Sequence, residues 1–176
     1  MNKVKRLSVW LSRVRKCRGF GVQSPSAYGF IRYVVNEHYP YYAYEELDKL
    51  TTDWLTRKLG RLYFRLANWR QPTEMQSDDY DAWWSAGCRK TRFLEHSDAV
   101  ELLRIVVGKH HRDALDYIYN KVNDQTLLVV EGIWRENDFW KEIVADERTG
   151  VTFDLYYCGI VFFDKKRTKQ HYVVNF

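Results

Sequence analysis

Two adjacent histidines, His110 and His111, open the search for chemistry, with Glu131 at the end of the next β-prone run as a third possible ligand. Imidazole and carboxylate together suit a zinc-type ion, and an imidazole titrating near neutrality suits a general base. Neighbouring side chains on a strand or loop project in different directions, so both histidines reach one ion only with special backbone geometry. No nucleophile or oriented acid stands beside His110. A surface-loop histidine and no metal site are the expectation. Asp78, Asp79 and Asp81 have the composition of a cation loop but lack its glycine turn and distal glutamate, so an exposed acidic loop is expected. Trp83-Trp84 can form an aromatic platform or pack on a sheet, and packing is expected. Gly19 and Gly21 have no strand before them and read as turn residues. Cys17, Cys88 and Cys158 lie about seventy residues apart. That spacing fits neither a disulfide framework nor a zinc site, which leaves reduced thiols.

The elements that must position these residues fall into two halves. In the first, Val4, Leu7, Leu11 and Val14 recur at helical spacing and predict an amphipathic helix over 2–17. Ser24-Pro25 predicts an N-cap and first turn, with the helix running to about Asn36. A third helical stretch carries Leu47, Leu50, Trp54 and Leu55. Gly60 predicts a break before a fourth helix, which starts at Arg61 and ends near Pro72. After that, β-prone runs at Thr91–Leu94, Arg104–Val107, Leu127–Val130, Val151–Tyr157, Ile160–Phe163 and Tyr172–Val174 alternate with helical patterns over Arg112–Val122 and Arg135–Ala145. Such alternation predicts an α/β sheet with crossover helices, and the short links between the last three runs predict an antiparallel end. The expected organisation is one domain, with a helical segment over 1–71 and an α/β core over 72–176.

Composition excludes some classes. Hydrophobic residues make up 45% and charged residues 29%, and no run approaches the roughly 18 apolar residues of a membrane span. Val9-Trp10-Leu11 is too short for the apolar region of a secretory signal, so a cytoplasmic location is expected. Net charge is +5, and the first 18 residues hold seven basic side chains and no acid. Lys165, Lys166, Arg167 and Lys169 form a second basic cluster. Either can be a solvated face or a footprint for nucleic acid or an acidic membrane. The 13 Tyr and 7 Trp can supply an aromatic core or a stacking surface for bases.

Several longer words are more specific. The stretches Gly21-Val22-Gln23-Ser24-Pro25, Tyr41-Tyr42-Ala43-Tyr44-Glu45, Gly60 through Trp69, and Gly159 through Phe163 with Lys169 through Val173 resemble a family of methyltransferase-like proteins of Bacteroides and its relatives. The order strand, helix, strand, helix and terminal hairpin likewise resembles the second half of a class I S-adenosylmethionine-dependent methyltransferase. The resemblance implies a Rossmann-like, mostly parallel sheet with an antiparallel C-terminal hairpin. It also implies an acid followed by a glycine-rich turn after the first strand, where the backbone must approach the cofactor closely. Here that place reads Thr73 through Asp81 and contains no glycine.

By the same resemblance, Glu74 stands for the acid of the first strand and Glu95 for the ribose-binding carboxylate of the second, both facing cofactor. His110 and Glu131 then face substrate. After Arg104–Val107 the family's acid is replaced by Gly108-Lys109-His110-His111, and the later acid pair is reduced to Glu131. The span before Gly108 is short for the fold, so a strand and a helix are expected to be missing. The leading expectation is a methyltransferase-like protein that has lost catalysis, binds no cofactor and serves a binding or structural role with a protein partner. The alternatives are an active enzyme holding S-adenosylmethionine in an atypical pocket, and a basic nucleic-acid-binding module. A sheet lacking an edge strand is also expected to form a homodimer that covers the exposed edge.

Overall fold

The computed structural model describes residues 3–16, 19–94 and 100–176. Helix α1 (Lys3–Ser12) ends in a 3₁₀ turn at Val14–Lys16, close to the predicted span. Ser24 accepts a hydrogen bond from the Ala27 amide, and Pro25 opens α2 (Pro25–Phe30), which widens into a π turn at Ile31–Val35. The last carbonyls of a helix lack partners within it. Here Arg65 supplies them, donating from Nε to the Val34 carbonyl at 2.6 Å and from Nη2 to that of Val35 at 3.0 Å.

After α3 (Ala43–Leu47), Asp53 caps α4 (Trp54–Arg70) by accepting from the Thr56 amide at 2.8 Å. The predicted break at Gly60 does not occur, because α4 runs through it. Gly60 instead marks where the Trp83 indole lies against the helix: a Cβ there would sit 2.5 Å from the ring. The helix ends as expected before Pro72, with Gln71 in the left-handed region at φ 51°.

The second half builds a seven-stranded sheet. Strands β1 (Glu74–Gln76), β2 (Arg92–Phe93), β3 (Leu102–Val106), β4 (Leu127–Glu131), β5 (Val151–Asp154), β6 (Cys158–Phe162) and β7 (Gln170–Val173) stand in the order β2-β1-β3-β4-β6-β5-β7. The first four strands in that order are parallel, and β6 runs antiparallel between β4 and β5. The predicted antiparallel hairpin is therefore β5–β6. By contrast, β7 pairs parallel to β5, so the antiparallel end is confined to one strand. Helices α5 (Asp81–Gly87), α6 (His111–Tyr119) and α7 (Asn137–Ala145) complete the chain.

Strand alternation divides the core into two layers. Leu102, Leu127, Val129, Phe153 and Ile160 face α2, α4 and α5, while Leu103, Leu128, Val130 and Val161 face α6 and α7. The central strands are thus buried on both faces, which explains their nearly unbroken apolar runs. Among the described residues no helix is long and apolar enough to cross a membrane.

Gly60→Ala tests the helix–indole contact. Alanine favours a helix over glycine by about 1 kcal/mol, but the added methyl overlaps a buried indole, and overpacking costs about 1–3 kcal/mol. The urea midpoint is expected to fall. An unchanged or higher midpoint would show that Trp83 yields freely.

Candidate functional site

In an open α/β sheet, ligands bind beyond the carboxyl ends of the strands, where the strand order reverses. That point here lies between β1 and β3, since β2 is placed on one side of β1 and β3 on the other. Arg104 sits in the middle of β3 and is buried on the α4–α5 side. A lone guanidinium among Leu102, Leu103, Ile105 and Val106 must find counter-charge, because an unpaired buried charge is strongly unfavourable.

It finds two carboxylates. Nε and Nη2 donate to Glu131 Oε2 at 3.0 and 2.7 Å, and Nη1 donates to Asp78 in the segment after β1. The parallel register sets Val106 beside Glu131, so the side chain of Arg104 reaches the end of β4 from two residues earlier on β3. Tyr63 of α4 donates its hydroxyl to the same Glu131 oxygen at 2.7 Å. Burial works against the charged form of Arg104, but its interactions with Tyr63 and Glu131 outweigh it and hold the pKa above the ordinary value. Burial raises the Tyr63 pKa far above its usual value, and the Glu131 charge adds to the effect. Tyr63 therefore stays a neutral donor.

Aromatic rings enclose the inner part of this cluster, while Asp78 stays exposed at its outer end. Trp84 stacks on Tyr63 at 4.5 Å between centroids with 10° between the planes, and Tyr80 meets Tyr63 edge-on at 4.8 Å. The Trp84 indole N–H donates to Ser77 Oγ and the Asp79 carbonyl, each at 3.2 Å, so α5 fastens the loop that carries Asp78. Tyr80 adopts φ 67°, which turns the chain directly into α5. The Arg104 guanidinium lies 4.9 Å from the Tyr80 ring centroid, within cation–π range. Backbone and side chains thus occupy the ground between β1 and β3.

The sequence-derived candidates are dispersed. Glu131 belongs to the cluster, although its partners are Arg104 and Tyr63. Glu74 begins β1 instead of ending it, and its carboxylate pairs with Arg92 at 2.5 Å on the edge strand; Asp78 follows two residues after the end of β1. Glu95 lies outside the described residues, as does Cys17. His110 is exposed ahead of α6, with Asp113 at 3.8 Å as its nearest acid. His111 turns inward, with Nδ1 against the Gly108 backbone and its ring edge-on to Phe139 at 4.3 Å. Its Nε2 stands 3.0 Å from Glu136 without hydrogen-bond geometry. The two histidines therefore diverge as expected, and among the described residues no group of three or more ligands is placed to hold a metal. Asp79 and Asp81 serve the entry to α5, Asp79 by accepting from the Tyr80 amide at 2.7 Å. Trp83 and Trp84 are both core residues.

Sequence reasoning treated Arg104 only as the start of a strand. The available signal was its charge, since an arginine inside a five-residue apolar strand must be paired if that strand is central. Comparison with protein-family models, with curated proteins and with solved structures gives no significant match.

Removing one partner of the cluster isolates the other. Arg104→Leu is expected to destabilise the fold by about 3–5 kcal/mol in urea denaturation, because Glu131 is left buried without its cation. Adding Glu131→Gln should recover part of that loss. Additive losses would refute the coupling. Cys158, fully buried beside Glu131, has its thiol pKa raised by burial and then by the Glu131 charge. Peptide mass spectrometry after brief iodoacetamide treatment is expected to find Cys158 unmodified in the native protein and modified after denaturation.

Proposed function

We propose that this chain is a methyltransferase-like fold that has lost S-adenosylmethionine-dependent catalysis and serves a binding or structural role. The observation that carries the reading is the ion pair from Arg104 to Asp78 across the strand reversal. A cofactor in this fold class needs close backbone approach after the first strand, and glycine supplies it. The chain instead has Ser77-Asp78-Asp79-Tyr80, with Asp78 engaged by Arg104 and Tyr80 packed on Tyr63. The order of parallel strands followed by an antiparallel strand inserted before the last crossover partner supports the family resemblance. The short link over residues 94–101 between β2 and β3 is in keeping with a missing strand and helix.

Surviving catalysis would require the Arg104 cluster to open. Opening would return Asp78, already exposed, to water, but would leave the buried Arg104 and the largely buried Glu131 to be re-paired by ligand, a cost against binding. Calorimetric titration with S-adenosylmethionine and S-adenosylhomocysteine is the deciding experiment. No saturable heat is expected up to millimolar ligand. Saturable binding at micromolar strength would overturn the proposal in favour of an active enzyme with an atypical pocket.

A further inference from the structure

A cleft of about 1390 Å³ opens between α1, the aromatic segment 39–44 and one face of α4. Trp54, Arg57, Lys58, Arg61 and Arg65 recur at i, i+3, i+4, i+7 and i+11, so they share a helix face, opposite the one that sends Tyr63 to Glu131. Six cations and three carboxylates line the cleft. Two of the cations are already committed: Arg61 pairs with Asp48, and Arg65 binds the carbonyls that end α2. Two carboxylates are committed as well, Asp48 to Arg61 and Glu37 to the Tyr41 hydroxyl, from which it accepts at 2.7 Å.

Lys3 remains uncommitted, and so do three further cations, Arg6, Arg57 and Lys58. Among the described residues none of the three has a carboxylate within ion-pair distance. Arg57 donates one hydrogen bond to the Thr51 carbonyl at 2.9 Å, and its buried Nε has no partner. The Arg6 guanidinium lies 4.5 Å from the Trp54 ring centroid, and the Lys58 ammonium lies 5.4 Å from that ring and 4.2 Å from the Phe176 ring. Burial, with the Arg65 charge added, pulls the Lys58 pKa down to about 8, as for a cation short of counter-charge. Beside these cations, Trp10 is 48% and Tyr42 94% exposed, so both rings have faces open to a planar ligand.

We infer that this cleft binds single-stranded nucleic acid, with Arg6, Arg57 and Lys58 taking phosphates and Trp10 and Tyr42 stacking on bases. Cationic grooves interleaved with open aromatic rings bind single strands without strong sequence preference. The volume favours a strand over a free nucleotide, since small-ligand pockets run to roughly 300–1,000 Å³. An anionic membrane fits less well. Its flat headgroup layer would meet the exposed Leu7 and Leu11 of α1, not cations set within a cleft between elements. The inference does not depend on the fate of the strand-end site, because the two lie on opposite faces of α4.

Fluorescence anisotropy with labelled single strands of about ten nucleotides tests it. Saturable binding is expected, weakening as salt rises, with the slope reduced by about 0.7 for each of Arg57→Gln and Lys58→Gln. The two together should weaken binding at least about tenfold at fixed salt. Tyr42→Ala should weaken binding about fivefold or more while leaving the salt slope unchanged. Lys165→Gln with Lys166→Gln, at the exposed basic cluster elsewhere, should change little. Circular dichroism melts establish that each variant folds.

Four results would overturn the inference: no binding at low salt, equal losses from the Lys165/Lys166 control, equal affinity for duplex, or a mononucleotide bound as tightly as the strand. Partitioning onto anionic phosphatidylserine vesicles without oligonucleotide affinity would assign the basic face to lipid instead. Failure of the S-adenosylmethionine titration would leave all of these outcomes unchanged.

Discussion

A guanidinium placed in the central strand of a sheet buried on both faces sets the terms for everything around it. Arg104 cannot reach bulk water from the middle of β3, so the protein brings acids to it from two directions. Glu131 comes from the end of the neighbouring strand and Asp78 from the loop after β1. Binding Asp78 draws that loop over the strand ends, and Trp84 then ties the loop down through its indole N–H. Tyr63 completes the arrangement from α4, which fixes the rotational setting of the long helix against the sheet. The same pairing that satisfies one buried charge thereby occupies the place where α/β folds of this kind receive their ligands.

Helix α4 carries the consequences to the other side of the molecule. Its inner face is apolar apart from Tyr63 and is pressed on the sheet, while Gly60 lets the Trp83 indole approach the backbone. Its other face repeats cations at helical spacing. Helix α1 meets that face through the Arg6 guanidinium, which lies over the Trp54 ring, while Arg13, just after α1, lies over Tyr156 and pairs with Asp154 at 2.7 Å. The N-terminal helix is thus held by its polar side, and its apolar residues Val4, Leu7 and Leu11 stay exposed. An amphipathic pattern ordinarily predicts the reverse.

Much of the local structure was legible because it depends on neighbours in sequence. The Ser24-Pro25 start of α2, the end of α4 before Pro72, and the six β-prone runs all follow from capping, missing donors and periodicity. Gly60 misled for an equally local reason: helix propensity assigns glycine a penalty, whereas the fold uses its missing side chain as room for an indole twenty-three residues away. The direction of β7 was also hidden, since short links suggest hairpins and nothing in the run Gln170–Val173 encodes which neighbour it will join. Glu74 was placed at the wrong end of β1 because a strand of three residues leaves no periodicity with which to locate its end.

By itself, then, the sequence determined the class: helices first, then a largely parallel α/β sheet, with no glycine between Thr73 and Asp81. Those features rest on residue type and short-range spacing. Only the tertiary structure decided which charged groups meet. Arg104, Asp78, Glu131 and Tyr63 are separated by up to 68 positions and converge because strand order and register bring them together. The cationic face of α4 existed in the sequence as a spacing, but whether it would be neutralised depended on which carboxylates the fold delivered to it. Asp48 reaches Arg61, and among the described residues none reaches Lys58. Charge pairing acts over a few ångströms of space and is indifferent to distance along the chain.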